Sequence, residues 1–68
     1  MNVWTRNANV WVLNLLPQVT VEPIPCADGK NRWGVKFGGK VIPYIMPGTN
    51  SDAVKSAALR YYEKRIDI

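Results

Sequence analysis

Gly38-Gly39 sits between two β-prone runs, and this short sequence constrains the fold more than any other. Paired glycines supply the two positive φ angles that a two-residue hairpin turn needs. Before them, Arg32 to Phe37 alternates in period two, placing Trp33, Val35 and Phe37 on one side and Arg32 and Lys36 on the other. After them, Lys40 to Met46 returns. A two-residue turn sets Phe37 opposite Lys40, Val35 opposite Ile42 and Trp33 opposite Tyr44. A bulged turn shifts the register and presents Val41 and Ile45 instead. The first register groups the aromatic residues and is preferred. Pro43 makes the returning strand an edge, or ends it early.

The segment upstream, Gln18 to Ile24, is also β-rich, with Val19 and Val21 on one side and Thr20 and Glu22 on the other. Pro23 and Pro25 are expected to end it, and residues 26–31 form a loop with an Asp-Gly turn. Downstream, Pro47-Gly48 breaks the chain, and Thr49 then caps a helix with Asp52 at capping-box spacing. No Gly or Pro interrupts the chain from Asn50 to Ile66, and Val54, Ala57, Ala58 and Tyr61 fall on one stripe. Leu59 and Ile66 lie off that stripe, near Lys55 and Tyr62. Either an N-terminal element covers them or they form an exposed apolar strip.

Residues 1–16 admit two readings. Trp4, Ala8, Trp11 and Leu15 fit one helical face, yet the asparagines and valines suit a hairpin turning across residues 6–9. The tripeptide Asn-Val-Trp occurs twice, at 2–4 and 9–11, without implying a repeat architecture. The expected fold is α+β: a three- to four-stranded antiparallel sheet packed against one C-terminal α-helix. It forms a single domain over 1–68, with the meander at 18–46 and the helix at 49–66.

With 68 residues the chain makes one small domain whose margin of stability is thin. Its balance of 47% hydrophobic and 21% charged residues is that of a folded, soluble chain. No apolar run is long enough for a membrane span, and the start lacks a signal-peptide pattern, so the expected location is cytoplasmic. There is no histidine and a single cysteine, Cys26, which excludes an internal disulfide and a nitrogen/sulfur zinc site. The five acids, Glu22, Asp28, Asp52, Glu63 and Asp67, are scattered, and no phosphate-cradling glycine motif precedes a helix. The expectation is a non-enzymatic protein with no cofactor and no metal.

Charge then points to a binding role. The net charge is +4, and Lys30, Arg32, Lys36 and Lys40 fall in eleven residues that contain no acid. A second basic group, Arg60, Lys64 and Arg65, lies near the C-terminus. Such a balance favours polyanionic partners.

The pattern Trp33-Gly34-Val35-Lys36, then Gly38-Gly39-Lys40, then Thr49-Asn50-Ser51-Asp52-Ala53-Val54 resembles small bacterial and phage domains. In these, a W-x-V-K strand and a glycine hairpin precede a helix opening T-x-x-[DE]-A. One such family has no assigned function. It resembles, more loosely, the amino-terminal arm-binding domains of phage-type integrases, whose three-stranded sheet enters the DNA major groove. The resemblance covers about residues 19–65 and implies that Arg32, Lys36 and Lys40 face nucleic acid. The prolines at 43 and 47 and the apolar N-terminal extension depart from the pattern. The expected function is a phage- or prophage-type binding protein that contacts nucleic acid through Lys30, Arg32, Lys36 and Lys40. The alternative is a protein-interaction module or inhibitor of a host protein complex, acting through Lys55, Leu59, Tyr62 and Ile66 and compatible with a homodimer.

Overall fold

Strands β3 (Val19–Pro25) and β4 (Asn31–Phe37) pair antiparallel along all seven residues and form the centre of the sheet. The computed structural model describes residues 3–64. Around the central pair run β1 (Trp4–Asn7), β2 (Val10–Leu13) and β5 (Lys40–Val41), followed by the helix α1 (Ser51–Glu63). The strand order is β1-β2-β3-β4-β5, an antiparallel meander, so the fold is α+β with five strands rather than three or four.

Proline does not end β3, contrary to the sequence expectation. Trp33 sends both its backbone N–H and its C=O to Gly48. Pro23, opposite Trp33, is therefore at a non-hydrogen-bonded site of the β3–β4 ladder. Its missing N–H points toward β2, whose pairing with β3 covers only Val21 and Thr20. No ladder bond is lost, and the strand continues to Pro25.

The first residues form a hairpin, not a helix. Trp4 pairs with Leu13 and Asn7 with Val10, which leaves Ala8 and Asn9 as a two-residue turn. Ala8 has φ 56°, a value favoured by glycine. At the second hairpin, Gly38 and Gly39 have φ 59° and 86° and set Phe37 opposite Lys40, as the two-residue reading expects. Ile42 donates its N–H to Val35, but the register then breaks. Gly48, not Tyr44, stands opposite Trp33, so the expected Trp33–Tyr44 pairing does not form. Pro43 interrupts the strand, and the chain loops out before returning.

That return delays the helix. Gly48 is held extended by its two bonds to Trp33, and the cap falls on Asn50, whose side chain accepts the Asp52 N–H at 2.9 Å. The expected Thr49 cap is thus displaced by one residue. The buried stripe is also rotated: Val54, Ala58 and Tyr62 are buried, Ala57 is exposed and Tyr61 is half-buried. The cause is the N-terminal hairpin, which brings Trp4, Trp11 and Leu13 to that side of the core. The core is Leu13, Val19, Val21 and Val35 from the sheet against Val54, Ala58 and Tyr62.

On the helix-free face, Ile24 is buried by lying across Gly34. A Cβ at Gly34 would come within 2.8 Å of Ile24 Cγ1 and closer still to Cδ1. Two stability outcomes follow. Ala8→Gly raises the unfolding free energy by about 1 kcal/mol in urea titration, because glycine tolerates the turn's backbone. Gly34→Ala lowers it by about 1–3 kcal/mol, and adding Ile24→Val recovers part of that loss.

Candidate functional site

Residues directly opposite one another in the ladders share a face. Thr5, Val12, Thr20, Lys36 and Val41 therefore make one row across all five strands on the helix-free side. Arg32 lies on the same side, opposite Ile24. The sequence thus places Arg32 and Lys36 away from the core, with Val35 and Trp33 toward it.

Both cations meet a carboxylate there. Lys36 Nζ lies 2.7 Å from Glu22 Oε1, with both side chains about one-quarter exposed. Arg32 Nη2 lies 2.6 Å from Asp28 Oδ2. Asp28 Oδ1 also accepts the backbone N–H of Lys30 at 3.0 Å, within a loop where Gly29 takes φ 83°. The Arg32 guanidinium, and then the Lys30 amide, hold the Asp28 carboxyl below its ordinary pKa. Asp28 and then the Cys26 sulfur hold Arg32 more firmly in its charged form. Lys30 is exposed in this loop, and Lys40 lies on the other side of the sheet, opposite Phe37. The four expected contact residues consequently do not share one surface, and two of them are already neutralised.

A different surface gathers the exposed rings. Phe37 stacks on Tyr62 with centroids 5.6 Å apart. Tyr62 meets Tyr61 edge-to-face at 4.8 Å. Tyr61 stacks on Tyr44 at 5.6 Å. With Leu16 and Ile42, these four rings line a groove of about 500 Å³ between the β5 side of the sheet and α1. Tyr44 is 70% exposed and Phe37 41%, so the ends of the chain of rings face solvent. Met46, in the same loop as Tyr44, is 84% exposed.

Cations border this groove. Lys40 faces Phe37 across the glycine turn, and Lys64 follows Tyr61 by three residues, on the same side of the helix. Arg60, Tyr61, Glu63 and Lys64 together line an adjoining depression at the end of α1. Among the described residues, the ion pairs are Arg32–Asp28, Lys36–Glu22 and Lys55–Asp52. Lys40, Arg60 and Lys64 take no part in them.

The expected exposed strip on the helix is turned inward. Tyr62 is 5% exposed, and Leu59 packs against the core. The Lys55 side chain is 14% exposed, with Nζ 3.5 Å from the Trp11 ring centroid and 3.1 Å from Asp52 Oδ1. This is a cation–π contact completed by a carboxylate. Trp11 of the N-terminal hairpin covers Lys55 and Phe37 stacks on Tyr62, while Ile66 and Arg65 lie outside the described residues. The sequence reading set Tyr44 and Tyr61 on core-facing positions and named Arg60 only within a basic group; Pro43 and Pro47 were the signal that the loop between them leaves the sheet.

Among the described residues, no three His, Cys, Asp or Glu side chains cluster as metal ligands would, and no helix is long and apolar enough to cross a membrane. No family model, curated protein or solved structure matches the chain.

The Asp28 geometry carries a pH dependence. Its folded pKa is lower than the unfolded value, so its stabilising contribution is present above the ordinary carboxylate range and fades as pH falls through the depressed value. Asp28→Asn should therefore lose less thermal stability than the parent between about pH 5 and about pH 2. Equal losses in the two proteins, measured by circular dichroism melts, would show that this contact does not contribute.

Proposed function

We propose that this chain is a non-enzymatic nucleic-acid-binding protein whose contact surface is the groove between β5 and the end of α1, with Lys40, Arg60 and Lys64 as phosphate contacts. The observation that carries the reading is the division of charge. Glu22 on the helix-free sheet face and Asp28 in the β3–β4 turn pair with Lys36 and Arg32, while Lys40, Arg60 and Lys64 at the aromatic groove enter no ion pair among the described residues. A cation already matched by a carboxylate gains little by exchanging it for a phosphate. An unpaired, exposed one releases condensed counterions from the polyanion when it binds. The looser resemblance to the arm-binding domains of phage-type integrases points to the same class of partner, though those domains use the sheet and not this groove.

A protein partner is the second reading, favoured by the apolar exposure of Tyr44 and Met46 in the loop beside the groove. Such a partner would use the groove for side-chain burial.

The test compares two variants by fluorescence anisotropy at low salt, using labelled DNA in single-stranded and duplex form. Lys40→Glu with Arg60→Glu and Lys64→Glu should weaken binding at least about tenfold. Arg32→Gln with Lys36→Gln should change it by less than about threefold. Three phosphate contacts give a log–log salt slope of about −2 for a single strand and about −3 for a duplex. Loss of binding in the sheet-face variant alone would return the site to that face. Absence of any nucleic-acid binding, with nuclease-resistant capture of a host protein, would establish the second reading instead.

A further inference from the structure

We infer that the groove takes a single strand rather than a duplex, with unstacked bases lying on Tyr44 and Phe37 and the phosphates on the rim cations. This deepens the nucleic-acid reading above and rests on it. Tyr44 has one ring face on Tyr61 and is mostly exposed, so its other face is open to a flat partner. Phe37 offers a second, partly exposed ring at the far end of the same chain. Between them, Tyr61 and Tyr62 lock edge-to-face and fix the orientation of both outer rings. Two held rings facing solvent are of no use to a duplex, whose bases present only their edges in the grooves. They suit bases already free of the stack.

The charges agree with the same occupant. Lys40 stands at the Phe37 end, and Arg60 and Lys64 stand at the Tyr61 end, with Glu63 the one acid among the described residues of that cluster. A strand crossing the groove would meet a ring and then a cation at each end. This arrangement covers about four nucleotides, the lower end of the site size for small single-strand-binding folds. A protein segment in the groove would use the rings but would need its own acids to match the cations.

The experiment uses the full chain with a fluorescein-labelled thymidine strand of about twelve nucleotides and a blunt duplex of equal length, at about 50 mM salt. The strand should bind at least about tenfold more tightly than the duplex. Tyr44→Ala should weaken strand binding about tenfold, and Tyr44→Phe should stay within about threefold of the parent, since stacking needs the ring and not the hydroxyl. Duplex binding should be insensitive to both changes. Phe37→Leu, with its fold checked by circular dichroism, tests the second ring and should act in the same direction. Equal affinity for strand and duplex, unmoved by Tyr44→Ala, would overturn the inference and leave the nucleic-acid reading intact. Failure of both polymers to bind would remove the two together.

Discussion

The helix can seat on the sheet only because small side chains stand where the two layers meet. Ala58 is fully buried, with Val54 and Tyr62 one turn to either side, against Val19, Val21 and Val35. Gly48, at the entry to the helix, is as tightly placed: a Cβ there would sit 3.2 Å from Val54 Cγ2. Its paired backbone bonds with Trp33, at 2.8 and 2.9 Å, tie the start of the helical segment to the central strand. Among the described residues the core cluster lies on the helix side of the sheet, so its stability hangs on that contact. Each fully buried Val or Tyr contributes about 1.5–3 kcal/mol, a large share of a small domain's stability. The same tie shapes the surface. Between Ile42, bonded to Val35, and Gly48, bonded to Trp33, the chain has more residues than the ladder needs. The excess bows outward, and Tyr44 comes to rest on Tyr61.

Charge follows from topology in a similar way. Glu22 lies on β3 beside β4, and Asp28 lies in the turn that joins them. Both acids therefore reach the cations of the W-x-V-K strand, Lys36 across the ladder and Arg32 at its start. Solvent-screened pairs of this kind contribute little to stability. Their larger consequence is spatial. Among the described residues they leave Arg6 on β1, Lys30 in its loop, Lys40 on β5 and Arg60 and Lys64 at the helix end outside the ion pairs.

Much of this architecture was legible in the residues. Alternation around Gly38-Gly39 was enough to place Val35 inward and Lys36 outward, because a period of two allows no other sidedness for a one-sided sheet. The uninterrupted run after Gly48 was enough for the helix. What could not be read depended on distant partners. Pro23 is tolerated because of which way its backbone points, and this is set by the β3–β4 register, in which Trp33 turns its own N–H and C=O toward Gly48. The helical stripe rotated because Trp4, Trp11 and Leu13 cover one flank, and residues 1–16 suit both a helix and a hairpin, with a lean to strand only over 10–16. Individual charges were visible in the sequence, but their pairing needed the β3–β4 register. For that reason the basic run at 30–40 looked like a continuous face, although the register separates Lys40 from Arg32 and Lys36.

The edges of the sheet bear on how a partner is met. β5 has two residues and is followed by Pro43, which offers no N–H, while Lys40 occupies its first position. At the other edge, β1 is four residues long and carries Arg6, whose Nε donates to the Ala8 carbonyl and whose guanidinium lies 5.5 Å from the Trp11 ring centroid. Short, charged and proline-ended edges resist the addition of another strand. A partner that docked by extending the sheet would have little backbone to pair with at either side. In the function proposed here, recognition falls to side chains, and the rings stand in a single line from Phe37 to Tyr44, fixed by their contacts with the helix. Rings held in place before binding lose little rotamer freedom on contact, so the stacking energy they offer is mostly retained. That rigidity is itself a product of the tie between Gly48 and Trp33.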